Sequence, residues 1–242
     1  MCGRFVSAQQ PDVLASFFGA SFEADALPAN FNVAPTNDVY GVVADASGER
    51  HIETFQWGLV PSWAKDVKIG SKMINARAET IAEKPAFRSL LKQHRVIVPM
   101  DGFYEWQAAG EGAPLGKAGK PIKTPKFIHR ADGTPLAVAG LWAKWRDRDG
   151  GPDAPWLHTL TVITTAANET MAPVHDRMPV ILPATQWALW LDGSVHDAEQ
   201  LLPLLAPAAN DILTMHTVST DVNNVRNKGE HLMEPAPAPA PE

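Results

Sequence analysis

The stretch RVIVPMDGFYEW, residues 95–106, sets the class of fold that the chain is expected to adopt. It is dense in β-branched and aromatic residues, a composition that is typical of strands. Segments of the same composition lie at 51–60, 125–129, 135–145, 158–165, 179–183 and 213–220. Strands therefore dominate the predicted secondary structure.

Predicted helices are fewer than predicted strands. They lie at 11–20, 78–94, 184–191 and 197–206. Pro11 suits the first turn of the first helix, whereas Pro85 is expected to break or kink the second. Strands and helices do not alternate as βαβ units. We therefore expect an α+β fold with a mixed or mostly antiparallel sheet and peripheral helices.

Three segments are rich in turn or loop residues. Ala-Asp-Gly-Thr at 131–134 lies between two strand segments and predicts a tight hairpin turn. The Gly-, Pro- and Lys-rich segment 112–126 predicts a mobile surface loop within one sheet system. The alternating Pro/Ala tail at 234–242 predicts an extended, disordered segment. We therefore expect a single domain over residues 1–233, followed by a disordered tail.

The composition narrows the possible locations and ligands. One cysteine cannot form an internal disulfide, and neither a signal peptide nor an apolar run of about 20 residues is visible, so we expect a cytoplasmic protein. The sequence has no zinc-ligand spacing and no dinucleotide or Walker loop, so no metal or nucleotide cofactor is expected.

The charge distribution is uneven. A net charge of −6 disfavours general attraction to nucleic acid. Residues 62–95, however, carry eight basic and three acidic side chains, a local excess of +5. That excess indicates either a polyanion site or a solvated helix face.

The single cysteine, Cys2, directly follows Met1. Removal of Met1 would leave Cys2 with a free α-amine beside its thiol. Their ordinary pKa values, about 7.7–8.0 and about 8.5, leave both groups partly nucleophilic near neutral pH. Such a 1,2-aminothiol condenses with an aldehyde to an imine, and addition of sulfur to the same carbon then closes a thiazolidine ring. The alternative is that Cys2 is only a small residue near the chain end.

Several polar residues stand inside apolar stretches, where they are candidates for chemistry. They are Asn75, Arg77, Glu105, His175 and Arg177. Glu105 has an aromatic residue on either side, a setting in which a carboxyl holds its proton more readily and can act as an acid near neutral pH. Taken singly, Asn75 is equally consistent with a turn or cap, Glu105 with an exposed strand position and His175 with a structural histidine.

Nine short segments resemble, in their order along the chain, the motifs of the SRAP family, the SOS response-associated peptidase domain of abasic-site processing proteins. They are MCGRF (1–5), NFNVAPT (30–36), WGLVPSW (57–63), INARAET (74–80), VPMDGFYEW (98–106), AGLW (139–142), TTAAN (164–168), HDRMPVIL (175–182) and VSTDVNNVRNKG (218–229). The resemblance extends over nearly all of residues 1–233. It implies a domain that binds single-stranded DNA containing an abasic site and cross-links to it through the N-terminal cysteine, which shields the lesion.

The resemblance also implies a catalytic set. Cys2 would supply nitrogen and sulfur to the aldehyde of the opened abasic sugar, and Asn75 would hold the cysteine amine in place. Glu105 would help to open the sugar and move protons during imine formation. His175 would hydrogen-bond the opened sugar and assist proton transfer, including reversal of the link.

A DNA-contacting set is implied in the same way. Its arginines are expected to bind phosphates beside the lesion, its tryptophans to stack on bases, and its threonine to lie near the site. These residues are Arg4, Arg77, Arg177, Trp63, Trp106 and Thr164. The expected protein is a monomer without membrane or metal partners, and it associates with the nucleoid when bound to DNA. Segments 64–73 and 112–126 do not match by motif, which leaves the edges of the DNA path open.

Two other functions stay open at this stage. An N-terminal-nucleophile amidohydrolase or self-processing peptidase would need the same free residue 2 and nearby polar groups. A plain DNA-binding module would leave Cys2 without a role. A stable adduct with an abasic strand distinguishes covalent capture from turnover of an amide.

Overall fold

The computed structural model describes residues 2–22, 25–110, 115, 119, 121–151 and 153–237. Within these ranges the strands are β1 Phe5–Ser7, β2 Ala20–Phe22, β3 Asn30–Val33, β4 Asp38–Ala44, β5 Arg50–Trp57, β6 Asn75–Arg77, β7 Arg95–Met100, β8 Gly102–Gln107, β9 Thr124–Arg130, β10 Leu136–Trp145, β11 Leu157–Ala166, β12 Arg177–Pro179 and β13 Leu213–Thr217. The α-helices are α1 Pro11–Phe18, α2 Arg88–Gln93, α3 Ala184–Leu191 and α4 Ala198–Leu201. Short 3₁₀ helices lie at Val67–Lys72, Ala78–Thr80, Leu202–Leu205, Thr220–Asn223 and Glu230–Met233. None of the described helices is long and apolar enough to cross a membrane.

The described strands form two sheets, and most of their pairings are antiparallel. The first sheet has the order β13-β9-β8-β1-β3. The second has the order β12-β11-β10-β7-β4-β5-β2, with β6 beside β11. A further parallel pairing of β5 with β11 closes a ring of strands and makes the second sheet barrel-like. The predicted α+β fold with peripheral helices is confirmed.

The stretch 95–106 passes from one sheet to the other. β7 lies in the second sheet, β8 lies in the first, and Asp101 is the one residue between them. Asp101 holds the N-terminal segment at this crossing, because its Oδ2 accepts from the Ala8 N–H at 2.6 Å. At Gly102 a Cβ atom would lie 2.5 Å from the ring of Phe127. Glycine is therefore required where the chain changes sheets.

The predicted hairpin at 131–134 is wrong in its strand pairing. A tight turn is present, since Gly133 has φ 74° and its N–H donates to Arg130 O at 3.1 Å. However, β9 pairs with β8 and β13, whereas β10 pairs with β7 and β11. The turn is a second crossing between sheets, which returns the chain to a position beside β7.

Two predicted elements are shorter than expected. In 78–94 an α-helix forms only after Pro85, as α2, and the earlier residues form a short 3₁₀ helix and turns. The strand predicted at 179–183 is β12, which ends at Pro179. Beyond it, the Leu182 N–H donates to a carbonyl of β10 at 2.8 Å. The Val180 N–H still donates to Ile163 O of β11 at 2.9 Å, so beyond Pro179 the chain bonds to both β11 and β10 without continuing as a regular strand.

The segments predicted to be mobile or disordered lie partly outside the described residues. The loop predicted at 112–126 ends earlier than expected, because β9 begins at Thr124. Much of the remaining loop lies outside the described residues, as does 238–242 of the predicted tail. Before that point, the Ala236 N–H donates to Thr217 O at 2.8 Å. The domain end at residue 233 stays a prediction.

Most of the buried apolar side chains among the described residues lie in two layers. One layer combines residues of both sheets, including Cys2, Phe5 and Trp57, and the rings of Phe5 and Trp57 meet edge to face at 4.9 Å. The other lies between the second sheet and the helices α1 and α3, and it includes Phe18 and Trp190. Burial of each large apolar side chain contributes about 1.5–3 kcal/mol. The first layer is the one that positions Cys2.

Candidate functional site

Cys2 lies in the layer between the two sheets. Its relative exposure is 1%, and it packs in one cluster with Phe5 and Met171. Burial raises the pKa of the Cys2 thiol far above its ordinary range, and the charge of Glu105 raises it further. The Cys2 thiol, which favours its neutral form, therefore lies in a buried space between the two sheets.

Asn75 reaches Cys2 from the second sheet. It lies in β6, which pairs in parallel with β11 in the register Asn75 to Val162. The Asn75 Nδ2 donates to Cys2 O at 2.8 Å. The Asn75 Oδ1 is buried and has no hydrogen-bond partner among the described residues. An unsatisfied acceptor, which costs about 1–3 kcal/mol, thus belongs to the amide that already holds Cys2.

Glu105 reaches the same space from the first sheet. It lies in β8, opposite Lys126 of β9, and its relative exposure is 4%. Of the two alternatives that the sequence leaves open for Glu105, an exposed strand position and a site desolvated by its aromatic neighbours, the structure shows a buried side chain. Its charge acts on the Cys2 thiol. The structure therefore brings together Cys2, Asn75 and Glu105, which are far apart in the sequence.

His175 and Arg177 flank Asp176 at the start of β12. The Arg177 N–H donates to His175 Nδ1 at 3.0 Å, and Asp176 Oδ1 lies 2.8 Å from the same nitrogen. The guanidinium of Arg177 forms a bidentate pair with Glu79, at 2.5 and 2.9 Å, and donates to Thr164 O at 2.6 Å. The Arg177 side chain therefore faces a carboxylate in the free protein, and this contact lowers the pKa of Glu79.

Thr164 lies inside the second sheet. Its relative exposure is 0%, and its hydroxyl donates to Ala76 O at 3.4 Å. In β11 it is paired with Pro179 of β12 and with Arg77 of β6. This burial does not fit the expected DNA contact of its side chain. Thr164 instead supports, from within, the strands that carry Arg77 and Arg177.

Arg4 and Trp106 contact each other and the C-terminal segment. The Arg4 guanidinium lies over the Trp106 ring, 5.6 Å from its centroid. Arg4 Nη1 also donates to Asn32 Oδ1 at 2.7 Å and to Val222 O at 2.8 Å, while Trp106 Nε1 donates to Asn223 Oδ1 at 2.6 Å. Burial lowers the pKa of Arg4. Both residues are thus engaged within the protein.

Trp63 is exposed, and a second exposed tryptophan lies on the same part of the molecule. The relative exposures of Trp63 and Trp156 are 58% and 59%. Their neighbours in the chain, Ala64 and Leu157, pack in one apolar cluster with Trp145, whose side-chain Nε1 donates to Ala64 O at 2.8 Å. Arg146 covers one face of Trp156 at 4.9 Å. Two large aromatic rings therefore face solvent beside the β10–β11 connection.

The basic segment 62–95 is divided between surface and interior. Arg77 is exposed at the end of β6. Arg95 is only 4% exposed, and its guanidinium donates to backbone carbonyls at the C-terminal ends of α2 and α3. Arg95 is therefore a structural residue and adds nothing to a polyanion surface, which corrects the charge count made from the sequence.

Two residues of this region are missed by the sequence-based prediction. From the sequence, Glu79 counts only as one of the acidic residues in 62–95, although its place beside Arg77 in the INARAET segment could have singled it out. Trp156 lies in the connection between two strands without a motif. Its exposure depends on how that connection packs, and nothing in the sequence indicates it.

The sequence matches the family model described as SOS response associated peptidase (SRAP) over residues 1–225. The chain belongs to the SRAP family. The resemblance drawn from the nine motifs is confirmed, and it extends over both sheets and all of the residues of the candidate site.

Individual relatives of this SRAP-family chain carry informative names. Abasic site processing protein YoqW of Bacillus subtilis is 40% identical over 237 residues, which cover 97% of this chain and 99% of that protein. Abasic site processing protein HMCES of Xenopus tropicalis is 37% identical over 199 residues, which cover 77% of this chain and 58% of that protein. The crystal structure of a protein from Bacteroides thetaiotaomicron matches with a TM-score of 0.82 at 24% identity, over 97% of this chain and 100% of the other. This last likeness shows the fold.

Proposed function

We propose that this chain binds single-stranded DNA at an abasic site and captures the opened sugar as a thiazolidine on Cys2, after Met1 is removed. Family membership and the names of the relatives support a role at abasic sites. The observation that carries the proposal is the bond from Asn75 Nδ2 to Cys2 O, in a buried space that also contains Glu105. A nucleophile, a positioning amide and a carboxyl are thus held together away from water.

The first step uses the α-amine of Cys2. The nitrogen adds to the aldehyde carbon, and loss of one water leaves an imine. Asn75 Oδ1 is an acceptor suited to an N–H of that amine, because it is buried and has no partner among the described residues. Glu105 is the group proposed to give a proton to the sugar ring oxygen on opening and to accept protons that the amine releases.

The second step adds the S–H bond across the C=N bond. Sulfur bonds to the carbon and the thiol proton passes to the nitrogen, so no further reactant is needed. The thiol proton supplies the hydrogen that the ring nitrogen receives, and the Cys2 side chain is buried where this addition takes place. Exclusion of water then protects the product. His175 is proposed to hydrogen-bond the opened sugar and to return a proton when the link reverses.

Binding of the strand is proposed to use the exposed surface beside this space. Arg77 is the best placed phosphate ligand, because it is exposed and lies two residues after Asn75 in β6. Trp63 is proposed to stack on a base, since its ring is 58% exposed. Arg4 and Trp106, expected in the same roles, already have partners in the free protein, so contact with DNA would have to add to or replace those bonds. Phosphate contacts fix position without reading sequence, as recognition of a missing base requires.

A second candidate is an N-terminal-nucleophile hydrolase, which the peptidase in the family name favours. A cysteine hydrolase attacks with a thiolate and therefore benefits from a lowered thiol pKa. With Met1 in place, burial and Glu105 raise the pKa of the Cys2 thiol instead. Removal of Met1 is itself an amide hydrolysis, so we place any peptidase activity at self-processing rather than at a separate substrate.

The deciding experiment is a denaturing gel of Met1-processed protein mixed with single-stranded DNA that carries one abasic site. We expect a heat-stable shifted band with that strand and none with an intact strand of the same sequence. Cys2→Ser keeps the amine but cannot close the thiazolidine. It should give only an imine, seen after borohydride reduction and lost on heating without it.

Three controls keep the result unambiguous. An uncleavable residue before Cys2 should abolish both kinds of adduct, because the amine is then an amide. A heat-stable adduct from Cys2→Ser would rule out the thiazolidine. No shift with wild type, once mass spectrometry shows that Met1 is absent, would favour the hydrolase.

A further inference from the structure

Arg177 forms a bidentate pair with Glu79, an unusual arrangement for an arginine that is expected to bind phosphate. The Arg177 side chain is only 12% exposed, whereas that of Glu79 is 49% exposed. Both terminal nitrogens of Arg177 are used by Glu79 and Thr164 O, and its Nε is buried without a partner among the described residues. A phosphate could reach this guanidinium only by displacing Glu79, so the pair as a whole presents little positive charge to DNA.

The same pair fixes the backbone that holds His175. Arg177 is anchored by its side chain to the Ala78–Thr80 turn and to β11, and its backbone N–H donates to His175 Nδ1 at 3.0 Å. A ring nitrogen that accepts a hydrogen bond has no hydrogen of its own. In the neutral ring the hydrogen must then be on Nε2.

Asp176 favours the other tautomer of His175, with the hydrogen on Nδ1. Its Oδ1 lies 2.8 Å from the same Nδ1, and its side chain is 86% exposed. A carboxylate at that distance favours a hydrogen on Nδ1, which would break the bond from the Arg177 N–H. The two contacts therefore compete for one ring nitrogen. The outcome depends on how firmly the Arg177 backbone is held.

We propose that Glu79 is a positioning residue, which, through Arg177, keeps the neutral His175 ring in the form with its hydrogen on Nε2. The pair of Glu79 and Arg177 thus prepares His175 as a proton donor rather than binding phosphate. The consequence for catalysis rests on the proposed function, but the effect on the ring does not.

The test begins with the free protein, so it does not depend on cross-linking. Long-range nitrogen–proton NMR of histidine-labelled protein, at a pH where the ring is neutral, reports which ring nitrogen carries the hydrogen. We expect the Nε2–H form of His175 in wild type. Glu79→Gln and Arg177→Lys should shift the ring toward the Nδ1–H form, with amide spectra showing that both variants are folded. An unchanged tautomer in folded Glu79→Gln would overturn the proposal.

The second arm measures cross-linking and DNA binding separately. We expect Glu79→Gln to slow cross-link formation at saturating abasic DNA about tenfold. This is a part of the rate enhancement that a positioned acid–base group supplies. The affinity for intact strands should stay unchanged. Tighter binding with a steeper salt dependence would instead mean that Glu79 masks a phosphate-binding Arg177, and would overturn the proposal. If wild type forms no cross-link, the proposed function fails, while the NMR result still decides the role of Glu79.

Discussion

The polar groups in the space between the two sheets and those on the outer surface beside it differ in their exposure to water. In the inner space Cys2 and Glu105 are 1% and 4% exposed, and burial with the nearby Glu105 charge raises the pKa of the Cys2 thiol. On the outer surface Trp63 is 58% exposed and Arg77 lies in water, where salt screens charge. Substitutions inside should therefore change the rate of capture. Substitutions outside should change the affinity for DNA.

The strongest test of this contrast is Glu105→Gln. We expect the single-turnover rate of cross-linking to fall by roughly 10²–10⁴-fold, because the carboxyl that moves protons is lost. Affinity for an intact strand should stay the same. Since the Glu105 charge raises the pKa of the Cys2 thiol, its removal should lower that pKa, although burial, the larger cause, keeps it above its ordinary value. A pH series of rates and of thiolate absorbance measures both effects.

The matched control is Glu49→Gln, which removes the same charge from an exposed turn. It should leave the rate and the thiol unchanged. A Glu105→Gln enzyme that cross-links at the wild-type rate would contradict the acid–base role and leave Glu105 as a buried structural residue.

Arg95 tests whether a basic residue of the segment 62–95 is structural. Arg95→Lys should lower the free energy of unfolding by at least about 3 kcal/mol, because several buried carbonyls lose their donor at about 1–3 kcal/mol each. Arg88→Lys, an exposed neighbour in α2, should change it by less than about 0.5 kcal/mol. Urea denaturation measures both, and equal effects would mean that the Arg95 contacts contribute little.

The fold was predictable where composition alone decides it. The β-branched and aromatic residues of segments such as 95–106 and 135–145 identify them as strands. The number of such strands, and the lack of alternation with helices, then indicates the class of fold. The two crossings between sheets, at Asp101 and at 131–134, were not predictable. A turn sequence specifies local backbone geometry, whereas pairing depends on which distant strand buries the neighbouring face.

The candidate site, too, could be predicted from the sequence only in part. The chemistry of Cys2 could be derived from its position in the chain, whereas the aromatic neighbours of Glu105 made its burial only one of two alternatives. The contact between Asn75 and Cys2 joins residues 73 positions apart and could be expected only through the family resemblance. A count of charges could not separate exposed Arg77 from buried Arg95, because burial is a property of the packed fold.

Stacking on the outer surface is tested by Trp63→Ala. We expect a loss of about 1–3 kcal/mol in binding free energy for single-stranded DNA, with the cross-linking rate at saturation unchanged. Trp156→Ala is the matched variant, since its ring is 59% exposed. Its effect should be smaller, because Arg146 already covers one face. A larger loss from Trp156→Ala would move the DNA path onto the β10–β11 connection.

The smallest expected effect distinguishes two arginines on strands that both flank β11. Arg77→Gln should flatten the dependence of log affinity on log salt by about 0.7, the value for one phosphate contact on a single strand. Arg177→Gln should leave that slope unchanged and slow capture instead, because Glu79 already neutralises its charge. Arg130→Gln is the control for the loss of one positive charge. Arg130 is the last residue of β9, and the residue of β9 that pairs with Glu105 is Lys126. A flattened slope for Arg177→Gln would show that the pair of Glu79 and Arg177 opens to phosphate, and the division between inner and outer groups would then fail at that residue.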